Sequence, residues 1–139
     1  MQHPAPRNNP PELRIKLLAQ LYESGLHRQM IDAAQQLLES FPKSALLHNM
    51  LGTAYLDLRQ YDLDRAGYEA AIALAPDCAE ALNNLGNALE NQGNLQAAVT
   101  SYTQALVCEP KNEQNQNNLT RARQQLGATC SSKNPTDKQ

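Results

Sequence analysis

Residues 83–94 read NNLGNALENQGN, with five asparagines and two glycines among the twelve. Both residue types favour turns and caps over helix interiors. Yet Leu82, Leu85, Ala88 and Leu89 recur at the three- and four-residue spacing of an amphipathic helix. The spacing predicts a helix over about 79–92, opened by an Asp77–Glu80 capping box and broken at Gly93-Asn94. A second helix follows over about 95–108, with Leu95, Ala98, Val99, Tyr102, Ala105 and Leu106 on one face. Pro110 lies past its end, where proline cannot continue a helix.

The pattern around this stretch repeats. Pro42, Pro76 and Pro110 are 34 residues apart, as are Leu17, Leu51, Leu85 and Leu119. Gly52 and Gly86, Tyr68 and Tyr102, and Ala71 and Ala105 keep the same step. A period of this length marks stacked helical hairpins. Three units result, 11–44, 45–78 and 79–112, followed by a capping helix at 113–127. The second unit is expected to start at an N-cap on Ser44, break near Arg59–Tyr61 and continue over about 62–75. The first begins at Asn9-Pro10-Pro11-Glu12, with Asn9 as an N-cap followed by proline at the first helical position, and turns at Ser24-Gly25. Residues 1–8 read as a flexible N-terminus, and 128–139 as a disordered tail or a linker.

Glycine in a helix interior costs ~1 kcal/mol relative to alanine. Gly52 and Gly86 are therefore expected where a paired helix approaches closely, with Ala71 and Ala105 marking the opposite contact.

Composition narrows the function classes. The 139 residues carry a net charge of −2, which gives no electrostatic case for nucleic acid or for an anionic membrane surface. The longest apolar run, AAIALA at 70–75, is too short to span a bilayer. Cys78, Cys108 and Cys130 are odd in number and lack metal-ligand spacing, so reduced thiols and a cytoplasmic location are expected. His3, His27 and His48 have no catalytic or metal partner at recognisable spacing. Asp62 reads as an N-cap, with Asp57 and Asp64 as solvated neighbours. No catalytic residue, cofactor or metal site is expected.

The unit at 79–112 resembles a tetratricopeptide repeat, with Leu82, Leu85, Gly86, Leu89, Gly93, Ala98, Tyr102, Ala105 and Pro110 at the signature positions. The second unit is similar but has Asp64 where the family usually has alanine. The first departs most, with Leu18 in place of glycine and Ala34 in place of the aromatic. The resemblance implies an all-α fold, a right-handed α-solenoid of three hairpins and a capping helix, seven helices in all. It extends to the repeats of O-linked GlcNAc transferases and of bacterial proteins.

The resemblance also implies a concave groove lined by the first helices, carrying Asn49, Met50, Thr53, Asn83, Asn84, Asn87, Asn118 and Arg121. An amide side chain offers donors and an acceptor, so a row of them can pair with a peptide backbone. Asn84 and Asn118 would be successive rungs, and Lys16 and Met50 interrupt the ladder. Solvated filler is the competing reading of the same amides. The clamp by which chaperone-binding members hold a carboxylate is not matched: its positions carry Ile15, Ala19, Asn49, Glu80 and Asn84, and only Asn84 fits. The leading expectation is a protein-interaction module for a protein or peptide partner. The alternatives are a recognition domain of a larger glycosyl-, sulfo- or methyltransferase and a self-associating scaffold, a homo-oligomer.

Overall fold

The computed structural model describes residues 8–133. Among them are seven α-helices and no strand: α1 (Glu12–Glu23), α2 (His27–Ser40), α3 (Ala45–Asp57), α4 (Tyr61–Leu74), α5 (Ala79–Asn91), α6 (Leu95–Cys108) and α7 (Glu113–Lys133). The all-α class and the hairpin order expected from the period are both present. The helices fall into two compact units, α1–α4 and α5–α7, divided between Pro76 and Asp77. Among the described residues, no helix is long and apolar enough to cross a membrane.

Each hairpin turns by one device. Asn94 N–H reaches back to Leu89 O at 2.8 Å, and Gly93 N–H bonds Glu90 O at 3.0 Å. Gly93 has φ +82°, which completes a Schellman C-cap. Gly25 at φ +77° closes α1 in the same way, through Leu26 N–H to Leu21 O and Gly25 N–H to Tyr22 O. The third position of this 34-residue series is Arg59, at φ +60°. A side chain is strained there, because its Cβ crowds the backbone in the left-handed region.

The helix starts differ from expectation in several places. Ser44 caps α3 by accepting from Leu47 N–H at 3.1 Å, as predicted. The predicted Asn9 cap of α1 is absent. Pro11 is the N-cap, and Asn9 Oδ1 instead accepts from the Ser44 hydroxyl at 2.6 Å. Cys78, not Asp77, precedes α5, and no side chain caps it. Asp62 is the second residue of α4 rather than its cap, where its charge still suits the helix N-terminus. Finally, α7 runs to Lys133, so residues 128–133 of the expected tail are helical; residues 134–139 lie outside the described range.

In the first unit Leu18, Met30, Ile31, Ala34, Leu47, Leu51 and Ala54 form the core. In the second, Leu89, Ala98, Tyr102, Leu119 and Ala122 do. The glycines are needed, but against tyrosine rings rather than alanines. A Cβ on Gly86 would stand 2.5 Å from Tyr102 Cε1, and one on Gly52 would stand 2.7 Å from Tyr68 Cδ1. Close backbone approach is also present at Gly52, where an added Cβ would stand 3.1 Å from Asp64 O, and at the facing Gly67, where one would stand 3.0 Å from Gly52 Cα. The first repeat reverses the sizes: Leu18, 1% exposed, and Ala34, 0% exposed, occupy the glycine and aromatic positions of the same packing. Exchanging large and small within one buried pair conserves volume, the substitution that cores tolerate best.

Candidate functional site

The amides singled out in the sequence divide between the two units. In the first, Asn49 is buried and engaged, and Met50 is half-buried against the core. Thr53 donates to Asn49 O at 3.2 Å and accepts from the Tyr68 hydroxyl at 3.1 Å. Thr53 thus ties α3 to α4, while Met50 is spent on the core of the first unit.

In the second unit Asn83, Asn87, Asn118 and Arg121 belong to one connected network across α5, α6 and α7. Asn118, only 5% exposed, donates through Nδ2 to Asn83 Oδ1 at 2.8 Å. Its Oδ1 accepts from Arg121 Nη1 at 3.0 Å, so both ends of this amide are used. It acts as a strut between helices rather than an open rung. Arg121 then grips Glu90 in a fork, Nε to Oε2 at 2.8 Å and Nη2 to Oε1 at 2.7 Å. Paired bonds of this kind fix geometry as well as charge.

Glu90 stands in the last turn of α5, where the helix dipole disfavours an anion, so the guanidinium answers a local need. Hydrogen bonds from Arg121 hold the Glu90 carboxyl below its usual range against the opposing effect of burial, with help from Tyr102 and Gln125. Burial, and then the bond to Glu90, pushes the Tyr102 hydroxyl upward. The same partner raises Arg121.

Tyr102 Oη lies 2.5 Å from Asn87 Oδ1 and 2.8 Å from Glu90 Oε1. A phenol has one proton, and a carboxylate held ionised can only accept. The proton therefore goes to Glu90, and the Asn87 contact is satisfied when the amide turns to donate from its NH₂. Asn84, half-buried on the same helix, is also engaged. The result is a rigid amide surface rather than a row of loose side chains.

Two clusters in the first unit were not legible in the sequence. His27, read from the sequence as having no catalytic or metal partner at recognisable spacing, has its Nε2 3.7 Å from Asp57 Oδ2. The Tyr22 hydroxyl also donates to Asp57, and its ring meets that of His27 at a centroid distance of 4.9 Å. Burial and the Asp57 contact push Tyr22 up to about 12. Thirty residues separate His27 from Asp57, and only the packing of one hairpin on the next unites them.

Asp64 is the second correction. It was expected on a solvated surface, but it is 0% exposed, and neither carboxylate oxygen has a hydrogen-bond partner among the described residues. Burial pushes its carboxyl up to about 6, with a smaller rise from Asp62, while the Arg65 backbone N–H and charge pull it down. The departure from alanine at this repeat position was the available signal, since the same step leads to Ala98, also 0% exposed.

Residues 20–76 and 49–113 match the family profile described as Tetratricopeptide repeat. The chain is 34% identical over 95 residues to the probable UDP-N-acetylglucosamine–peptide N-acetylglucosaminyltransferase SEC of Arabidopsis thaliana, covering 68% of this chain and 10% of that protein. It is 30% identical over 105 residues to a chloroplastic tetratricopeptide repeat domain-containing protein of the same plant, covering 68% of this chain and 35% of that one. The chain thus spans about a tenth and about a third of the length of these two relatives. Among solved structures it is similar in fold to the first TPR of Spaghetti (RPAP3) bound to the HSP90 peptide SRMEEVD. The TM-score is 0.78 and the identity 22%, over 83% of this chain and 91% of that one.

Proposed function

The chain belongs to the tetratricopeptide repeat family, and from that premise we propose that it is a non-catalytic interaction module whose α5–α7 surface holds an extended peptide segment. The observation that carries this reading is the network Asn83–Asn118–Arg121–Glu90–Tyr102–Asn87. It fixes amides and a half-exposed guanidinium before any ligand arrives, so less side-chain entropy is lost on binding. Asn83, Asn84, Asn87 and Arg121 are the proposed contact residues, with Asn118 positioning Asn83. The bound peptide of the RPAP3 domain supports peptide binding as a use of this fold.

Peptides selected from a displayed random library on the whole chain test the reading. Asn84→Ala with Asn87→Ala is expected to weaken the selected peptides about tenfold, the loss of one or two backbone hydrogen bonds each worth ~1 kcal/mol. Undiminished binding sinks the amide surface as the site. A second reading has one observation in its favour, the 34% identity to a GlcNAc transferase. In it these repeats recognise substrate for a catalytic domain on the same polypeptide. A reading frame that ends without such a domain removes that reading.

A further inference from the structure

Beside the amide network, the second unit contains a cavity of about 300 Å³. Glu80 and Asn83 line it from α5, Glu109 and Asn112 from the α6–α7 connection, and Gln114 and Asn115 from α7. Ala79 completes the lining, and the other six side chains are polar. Three features of the lining suit it to a ligand.

The first is Asn115, which is 3% exposed. Its backbone N–H bonds Asn112 Oδ1 at 3.0 Å, but its side-chain amide has no hydrogen-bond partner among the described residues. The side chain is buried except where its amide reaches the cavity, which leaves a donor and an acceptor open to a ligand there. The second is the pair of carboxylates. Neither Glu80 nor Glu109 takes part in an ion pair among the described residues. Glu109 Oε2 accepts from Asn112 Nδ2 at 2.9 Å, which holds this carboxylate in place. The third is the balance of partial charges. The first turns of α5 and α7 open on the cavity and would draw an anion, but Glu80 and Glu113 already stand in those turns and answer them. Lys111, the nearest cation in sequence, is not among the lining residues.

We propose that this cavity takes a cationic side chain, a guanidinium or an ammonium, from the peptide held on the adjoining α5–α7 surface. The inference rests on the peptide-binding reading and adds a side-chain preference to it. Asn83 belongs both to the network and to the cavity wall, so a chain bound along the amides passes the opening. Two carboxylates and the carbonyls of Gln114 and Asn115 supply acceptors in several directions, which suits the five N–H donors of a guanidinium. Such a site selects against an acidic peptide by like-charge repulsion as well as selecting for a basic one.

The test uses the ¹⁵N-labelled whole chain and four probes: N-acetylargininamide, N-acetyllysinamide, the neutral isostere N-acetylcitrullinamide, and the anionic N-acetylglutamate α-amide. The two cationic amides are expected to move the side-chain NH₂ resonances of Gln114 and Asn115, and the citrulline and glutamate amides to leave them in place. Glu80→Gln with Glu109→Gln is expected to weaken the cationic probes about fivefold to tenfold, the effect of losing two partly solvated pairs. Glutamine can still accept from Asn112, so this variant should keep the wild-type melting temperature.

An equal response to citrulline amide overturns the proposal, as does no response at Gln114 and Asn115 to either cation, which would leave the buried amide to a bound water only. Library peptides that bind at Asn84 without basic residues would overturn this cavity's role and leave the peptide reading standing. Cationic probes that bind while no library peptide does would remove the peptide reading instead.

Discussion

Gly52 with Tyr68 and Gly86 with Tyr102 are the same joint, built one 34-residue step apart. In each, a ring lies on a glycine so closely that a methyl group would overlap it. The two joints differ at the phenol. Tyr68 ends on the Thr53 hydroxyl, and its circuit closes inside the helix pair. Tyr102 ends on Glu90, which extends the circuit through Arg121 to α7. Position 56 is leucine where the later repeat has Glu90, so the first joint has no charge to pass outward. The packing role is thus carried by ring and glycine, and surface chemistry is added by a residue the packing does not need.

The glycine joints give the largest expected effect. Gly86→Ala and Gly52→Ala should each destabilise by about 2–3 kcal/mol despite the better helix propensity of alanine, because the ring must move out of a filled core. Chemical denaturation of the two variants measures this. Equal stability of Gly86→Ala and wild type would show that the ring, not the glycine, sets the helix separation.

A second contrast is Asp64 against Ala98, both fully buried one step apart. The folded chain keeps the Asp64 proton to about pH 6. An unfolded aspartate releases it near pH 4. Between those values the folded state binds more protons, so stability should fall as pH rises from about 4 to about 6 and then level off. Asp64→Ala, which makes the repeats alike here, should gain about 2 kcal/mol at pH 7.5 and little at pH 4. Melting temperatures at the two pH values decide it. A variant less stable than wild type at pH 7.5 would mean that the carboxylate has found a partner.

The phenols themselves are expected to differ by less. Tyr102→Phe should cost about 2 kcal/mol, since it takes a donor from a buried carboxylate, and Tyr68→Phe about 1 kcal/mol, since it breaks a neutral bond. Equal costs in urea titrations would erase the distinction between the joints. The smallest effect belongs to the turns. Arg59→Gly, which matches Gly25 and Gly93, should stabilise by about 1 kcal/mol through relief of the left-handed backbone. A neutral result in the same titration would indicate that the arginine makes compensating contacts.

The sequence was most legible where local rules and the period agreed. Gly93 and Gly25 announced their turns because only glycine adopts that backbone freely. Arg59 gave no such signal, since an arginine in that conformation looks like any other in the sequence. Gly127 reads as a helix stop, yet α7 runs through it to Lys133, so the continuation of this helix was not legible. Site residues were partly legible. The repeat position located Asn83, Asn87, Asn118 and Arg121 on first helices and α7, but not their bonds to one another.

By itself, then, the sequence determined the hairpins, their number and their turns, because helix periodicity, proline and glycine act over a few residues and the 34-residue step repeats them. Only the tertiary structure decided which side chains are spent and which remain available. The Glu90–Arg121 fork, the Asn83–Asn118 bond and the Tyr22–His27–Asp57 cluster each join residues some thirty positions apart. Their partners are set by the register of one helix against the next, a length too great for any local rule to reach.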